Sequence, residues 1–173
     1  MLTDAITVAI DGMGGDNAPG MIIGGIDIAC SRAPNLRCLV FGDENQLKPL
    51  LENHPKAKAA VEIRHTTDVV RMDDKPTAAL RSGKNSSMRL AIDAVKNEEA
   101  SAIVSAGNTG ALMTMATVVL RMIPGISRPA IVTSFPTQSG DCVMLDLGAN
   151  IECDAENLVQ FAVMGEVFAR YEL

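Results

Sequence analysis

The stretch "AIVSAGNTG" (102–110) ends a short apolar run in Ser, Gly, Asn and Thr, and "ALMTMATVVLRM" follows it as an apolar helix. Strand, small-residue turn, helix is the local form of an anion site. The N–H groups at a helix start have no partner within the helix, and the dipole behind them favours phosphate. Ser105, Asn108 and Thr109 supply polar atoms there, and Gly107 and Gly110 let backbone approach a ligand. "RSGKNSSMR" (81–89) puts Lys84 just ahead of a second helix start, with Ser86 and Ser87 in its first turn. As chemistry, a cation and hydroxyls beside free N–H groups make a clamp for phosphate or an oxyanion. As structure, either serine is an N-cap. "DGMGGDNAP" (11–19) carries Asp11, Gly14, Gly15 and Asp16, and "LDLGAN" (145–150) carries Asp146, Gly148 and Asn150 in a similar strand-end arrangement. Asp11 and Asp16 also fit plain turn residues. The glycines at 12, 14 and 15 do not fit G-x-G-x-x-G, and no G-x-x-x-x-G-K-[ST] occurs, so neither a dinucleotide fingerprint nor an ATP P-loop is indicated.

The elements that must position these residues follow from the apolar pattern. "AITVAID" (5–11), "LRCLVFG" (36–42), "VEIRH" (61–65) and the run before Ser105 read as strands. Pro19 opens a helix to about Arg32, Asp43 with Gln46 resembles a capping box for a helix to about Asn53 that Pro49 should kink, and 86–97 is an amphipathic helix. Residues 66–76 read as a mixed-charge loop. "RPAIVTSF" (128–135) and "CVMLDLG" (142–148) are further strands, and the turn-like "TQSG" between them suggests an antiparallel hairpin. Asp154 caps a last helix whose predicted apolar face is Leu158, Phe161, Ala162, Gly165, Phe168 and Ala169. Strands alternating with helices predict an α/β fold, three-layer αβα with a mostly parallel sheet, over a single domain spanning 1–173. Ligands in such sheets bind beyond the carboxyl ends of the strands, where the loops at 11–18, 105–110 and 146–152 would converge.

Composition narrows the function. With 47% apolar residues the chain can bury a core, and with 3% aromatics that core is aliphatic. A formal charge of -6 argues against a nucleic-acid binder, which needs Lys and Arg for phosphates. Cys30, Cys38, Cys142 and Cys153 show no C-x-x-C spacing and read as buried, reduced thiols rather than metal ligands. His54 and His65 read as solvated helix or strand ends. No metal site and no cofactor is expected. No signal peptide is visible and no apolar run reaches the ~18 residues of a membrane span.

Five collinear motifs carry a resemblance: "AIDGMGGDNAP", "KNSSMRLAIDAVK", "VSAGNTGALM", "GISRPAI" and "LDLGANIECDAENLVQFAVMG". Together they resemble the bacterial phosphate acyltransferase family of phospholipid synthesis (PlsX), from about residue 5 onward. Gly12 stands where the family motif usually carries Ala, a small-for-small change expected to be tolerated. Family members continue well past this chain, which looks like their N-terminal portion, so the 173 residues alone are expected to be inactive.

The resemblance implies a reaction in which inorganic phosphate attacks the thioester of an acyl carrier protein and gives an acyl phosphate plus free carrier thiol. It implies a fold similar to the isocitrate and isopropylmalate dehydrogenases. It further implies a homodimer, a cytoplasmic protein peripherally associated with the membrane, and a downstream membrane acyltransferase that consumes the product. Phosphate is already a nucleophile, so the chemistry asks for positioning and oxyanion stabilisation rather than a Ser-His-Asp triad. On matched positions, Lys84, Asn108 and Asn150 are the catalytic candidates. Asp11, Gly14, Gly15, Asp16, Ser86, Ser87, Ser105, Gly107, Thr109, Gly110, Asp146 and Gly148 are the phosphate- or substrate-binding candidates. The division of roles among them rests on chemistry, not on the resemblance. A phosphate acetyltransferase-type enzyme using coenzyme A thioesters, a dehydrogenase on the similar fold, and a non-catalytic binding or dimerisation module are the competing readings.

Overall fold

The computed structural model describes residues 5–172. The chain forms two compact units, one ending at Leu120 and the other beginning at Arg121. In the first unit, β1 (Ile6–Asp11), α1 (Gly20–Arg32), β2 (Leu36–Gly42), α2 (Glu44–Glu52), α3 (Pro55–Ala60), β3 (Val61–His65), α4 (Pro76–Ser82), α5 (Ser87–Lys96), β4 (Ala102–Val104) and α6 (Thr109–Leu120) follow in order. The strands form one parallel sheet in the order β3-β2-β1-β4.

Both faces of this sheet are covered, which makes the unit three-layered αβα, as the alternating pattern predicts. Because side chains alternate across a strand, Ile10, Cys38 and Val40 point to one face and Ala9, Leu39 and Phe41 to the other. The first set packs on Ile23, Ile26 and Cys30 of α1, Leu47 and Leu51 of α2 and Ala57 of α3. The second packs on Ala91 and Ala94 of α5, with Ala100 beside them. Small alanines let α5 sit close to the sheet. Beyond it, Met88 and Ile92 of α5 pack on Ala111, Met115 and Val119 of α6 and Ala79 of α4. Helix α2 is capped by Asp43, whose carboxylate accepts from the Asn45 N–H at 3.0 Å. Gln46 donates to that carboxylate at 2.9 Å instead of returning to the backbone, so only half of the expected capping box forms. The short helices α3 and α4 fall in stretches with no readable helical period.

The thiol reading holds for two of the four cysteines. Cys30 and Cys38 are buried, whereas Cys142 and Cys153 are exposed. Burial, with the Cys30 sulfur beside it, pushes the Cys38 thiol up to about 12, so it is protonated and inert. Neither histidine is a free ring: His54 Nδ1 lies 2.8 Å from the Leu50 carbonyl, and His65 Nδ1 accepts from the Glu44 N–H at 3.2 Å.

In the second unit, β5 (Val132–Thr137) and β6 (Gly140–Leu145) pair antiparallel, and α7 (Ala155–Glu172) follows. The hairpin is the one expected from "TQSG", but β5 begins at 132 rather than 128. Residues 129–131 are bound instead by the Asp146 and Asn150 side chains. Helix α7 is capped reciprocally: Asn157 N–H donates to Asp154 Oδ1 at 2.8 Å and Asp154 N–H to Asn157 Oδ1 at 3.2 Å. Its packed face differs from the predicted one. Asn157 and Gln160 are buried beside Phe161, while Leu158 and Ala162 are exposed. The cause is Ser127, which donates to Gln160 Oε1 from both N–H and Oγ and accepts from Asn157 Nδ2. These bonds turn polar side chains inward. Among the described residues, no helix is long and apolar enough to cross a membrane.

Candidate active site

Asp11 ends β1 one step beyond the last β1–β4 pair, Ile10↔Val104, so parallel register alone brings it beside Ser105. It is 1% exposed. Its Oδ1 accepts from Ser87 Oγ at 2.6 Å and from the Met13 N–H at 3.3 Å, and its Oδ2 accepts from Ser105 Oγ at 2.8 Å. A buried carboxylate is costly unless hydrogen-bonded, and these donors supply the compensation; no lysine or arginine among the described residues pairs with it. A hydroxyl has one proton. Ser87 and Ser105 both give theirs to Asp11, which leaves their oxygens as acceptors, and Ser105 Oγ indeed accepts from the Gly107 N–H at 3.1 Å. In this arrangement the two serines hold the loops to Asp11 and do not offer protons to an anion.

The glycines make that convergence possible. A Cβ on Gly14 would lie 2.3 Å from Asp11 Oδ2 and 3.0 Å from the Gly107 nitrogen. Gly15 has φ +103° and a Cβ there would lie 2.8 Å from the Ala106 carbonyl oxygen. The loops at 12–16 and 105–107 therefore meet backbone on backbone. Gly12 is also constrained: an added Cβ would lie 2.8 Å from Val40 Cγ1 and 2.9 Å from the Phe41 oxygen. Since the oxygen is backbone, an Ala at position 12 of this chain would need the Phe41 backbone to shift.

Asn108 caps α6, its Oδ1 accepting from the Ala111 N–H at 3.0 Å. Its Nδ2 donates to the carbonyls of Arg71, Met72 and Asp74 at 3.2, 3.1 and 2.9 Å. The amide is thus committed to a clasp between α6 and the loop at 66–75, a segment whose part in the site carries no motif. That loop is anchored again by Thr66, which donates to the Asn85 carbonyl at 2.6 Å, and by the Ser87 N–H, which donates to the Asp68 carbonyl at 3.0 Å. Ser86 is the N-cap of α5, accepting from the Arg89 N–H and donating to the Gly83 carbonyl. Gly110 sits against Pro76, with an added Cβ 2.9 Å from its Cγ.

What remains open to a ligand is distinct from what holds the loops. Thr109 is exposed at the start of α6, and the Thr109 and Gly110 N–H groups have no acceptor among the described residues. Lys84 and Asp16 are exposed, without ion-pair or hydrogen-bond partners among the described residues. No group of three or more His, Cys, Asp or Glu among the described residues is arranged to hold a metal ion.

Asp146, Gly148 and Asn150 belong to the second unit. Asp146 accepts from the N–H groups of Ile131, Ala149 and Asn150 at 2.9, 3.2 and 2.8 Å, and from Asn150 Nδ2 at 3.0 Å. Burial pushes its carboxyl up, but these hydrogen bonds outweigh burial and hold it below the usual aspartate range. Asn150 Nδ2 also donates to the Pro129 carbonyl at 2.9 Å. Gly148, at φ +85°, turns the loop that closes this latch.

The family described as "Fatty acid synthesis protein" matches residues 6–173. Curated relatives named phosphate acyltransferase include that of Rhodospirillum centenum, 58% identical over 169 residues, covering 98% of this chain and 48% of the relative. That of Parvibaculum lavamentivorans is 57% identical over 170 residues, with 98% and 47% covered. That of Paramagnetospirillum magneticum is 53% identical over 169 residues, with 98% and 48% covered. The chain therefore spans about half the length of these relatives. On the match over 6–173 and on these identities, the chain belongs to the phosphate acyltransferase (PlsX) family.

Proposed function

We propose that this chain is the N-terminal portion of an enzyme that transfers an acyl group from acyl carrier protein to inorganic phosphate. The observation that carries the reading is the pair of N–H groups of Thr109 and Gly110 with no acceptor among the described residues, on a helix start held by Asp11 through Ser105 and by Asn108. Helix N-termini favour phosphate, and a fixed one costs little reorganisation when charge develops.

In the proposed step a phosphate oxygen attacks the thioester carbonyl carbon. The carbon–sulfur bond then breaks, the electron pair leaves on sulfur, and the sulfur takes a proton from solvent. The products are an acyl phosphate and the carrier thiol. Thr109, Gly110 and Lys84 hold the phosphate, and Lys84 offsets the negative charge that the phosphate brings into the site. Gly14, Gly15 and Gly107 let the backbones meet. Asp11, Ser87, Ser105, Ser86 and Asn108 position the loops. Asp16 faces solvent beside the Gly-rich turn. Asp146, Gly148 and Asn150 hold the hairpin loop of the second unit. The same reading includes a homodimer, a cytoplasmic protein peripherally bound to the membrane, and a membrane acyltransferase downstream.

The test is phosphate-dependent thiol release from acyl carrier protein thioesters and, in parallel, from coenzyme A thioesters, using a protein of the relatives' full length that carries this region. Release from the carrier thioester, dependent on phosphate, is expected. Release from coenzyme A alone moves the assignment to the acetyltransferase type, and no release leaves a binding module. The 173-residue chain by itself is expected to show little activity, because catalysis by positioning loses about 100-fold from a 1 Å misplacement.

A further inference from the structure

Thr66 stands one residue past β3 and is 8% exposed. A buried hydroxyl needs partners, and this one has them on both sides. Its proton goes to the Asn85 carbonyl at 2.6 Å, and its oxygen accepts from the Asp68 N–H at 3.2 Å. The Thr66 N–H donates to the Gly42 carbonyl at 3.0 Å. Gly42 ends β2 and pairs with His65, so Thr66 is fastened to the parallel sheet itself.

Asn85 belongs to a tight turn. The Ser86 N–H donates to the Gly83 carbonyl at 3.1 Å, which makes Lys84 and Asn85 the corner residues of a β-turn. Ser86 Oγ donates to the same carbonyl at 2.7 Å, and the Gly83 N–H donates to the Ala79 carbonyl at 2.8 Å. The turn is thus stiff in itself, and its tie to the sheet end is the Thr66 hydroxyl on Asn85. The same hydroxyl fixes Asp68, whose carbonyl takes the Ser87 N–H at 3.0 Å. At the α5 start the Ser87 and Arg89 N–H groups are therefore already taken. What stands free at this turn is the exposed Lys84 side chain, without a partner among the described residues. Resting on the phosphate-transfer reading, we propose that Thr66 is a positioning residue for the reaction, fixing the turn from which Lys84 reaches phosphate. A lysine has a long flexible stem, so the place of its base decides where the ammonium can go. Thr66 is itself covered and acts on phosphate only through Lys84.

The experiment measures thiol release from an acyl carrier protein thioester against inorganic phosphate, in a protein of the relatives' full length that carries this region. Thr66→Val keeps the branched shape but neither gives nor takes a hydrogen bond. It should raise the half-saturating phosphate about tenfold, as a misplacement of less than 1 Å does, and leave the KM for the thioester unchanged. Thr66→Ser keeps the hydroxyl and should return to within about twofold of the parent. Added to Lys84→Ala, Thr66→Val should change the phosphate requirement by less than about twofold, because residues that act through one group do not add. A threonine that only stabilises the fold would lower the urea midpoint and leave the phosphate requirement alone. An unchanged requirement in folded Thr66→Val, a full effect persisting on top of Lys84→Ala, or no rescue by Thr66→Ser would overturn the proposal. Thr66→Ala repeats the test if the valine variant does not fold, since it removes the hydroxyl without setting a methyl against the Asn85 carbonyl. An unchanged requirement in Lys84→Ala refutes the phosphate reading and this proposal with it. A raised requirement in Lys84→Ala beside an unchanged one in Thr66→Val refutes the proposal alone.

Discussion

Asp11 and Asp146 both stand at strand ends before glycine-bearing loops, yet they gather different partners. Asp11 draws hydroxyls from Ser87, 76 residues away, and Ser105, 94 residues away. Asp146 draws amides from within four residues, plus Ile131 fifteen residues back. The first carboxylate assembles segments that meet only in the folded unit. The second closes one hairpin loop on itself. Similar sequence grammar thus serves tertiary assembly in one place and local closure in the other, and the buried network is the one that should couple to global stability.

Substitutions can break that contrast. Asp11→Ala leaves two hydroxyls without their acceptor, and at ~1–3 kcal/mol for each unsatisfied buried group a loss of about 4 kcal/mol is expected in urea unfolding. Gly14→Ala drives a methyl onto Asp11 and the 105–107 backbone and should cost about 3 kcal/mol, as overpacking does. Asn108→Asp keeps the acceptor for Ala111 but loses the donors to Arg71, Met72 and Asp74. It should cost about 2 kcal/mol, and amide exchange should quicken in 71–75 before the rest of the unit. Asp146→Asn should cost only about 1 kcal/mol, with faster exchange confined to Ile131, Ala149 and Asn150. The sign of its pH dependence follows from the lowered folded value. The Asp146 contribution is complete above the ordinary aspartate value of about 4 and is lost as pH falls through the folded value beneath it. Equal global effects from the Asp11 and Asp146 variants would erase the distinction between the two networks.

Much of the first unit was legible because its signals are local. The apolar runs at 36–42 and 61–65 are bounded by turn residues or charge, and both became strands over those residues. Helices α3 and α4 were missed because six or seven residues do not complete enough turns to show a period. The face of α7 was misread because periodicity weighs hydrophobicity, while Ser127 hydrogen bonds bring Asn157 and Gln160 inward. At the candidate site, the strand-end rule was enough to gather Asp11, Ser105 and Thr109 on one edge. It could not tell the loop anchors from the groups left without a partner among the described residues. The protons of Ser87 and Ser105 and the amide of Asn108 go to partners at least 34 residues away, and no local pattern encodes such bonds. Lys84 and the N–H groups of Thr109 and Gly110 are set apart only by the absence of a partner among the described residues.

Lys84 is the sharpest probe of whether phosphate for acyl transfer is held at these helix starts, because its side chain supports nothing else among the described residues. The measurement is thiol release from an acyl carrier protein thioester as a function of phosphate concentration, for a protein of the relatives' full length and its Lys84→Ala variant. Release should saturate with phosphate. The variant should need about 10- to 100-fold more phosphate, the equivalent of a ~1.5–3 kcal/mol charged hydrogen bond, with an unchanged urea midpoint. Release that ignores phosphate, or an identical phosphate dependence in a folded Lys84→Ala variant, would contradict the claim.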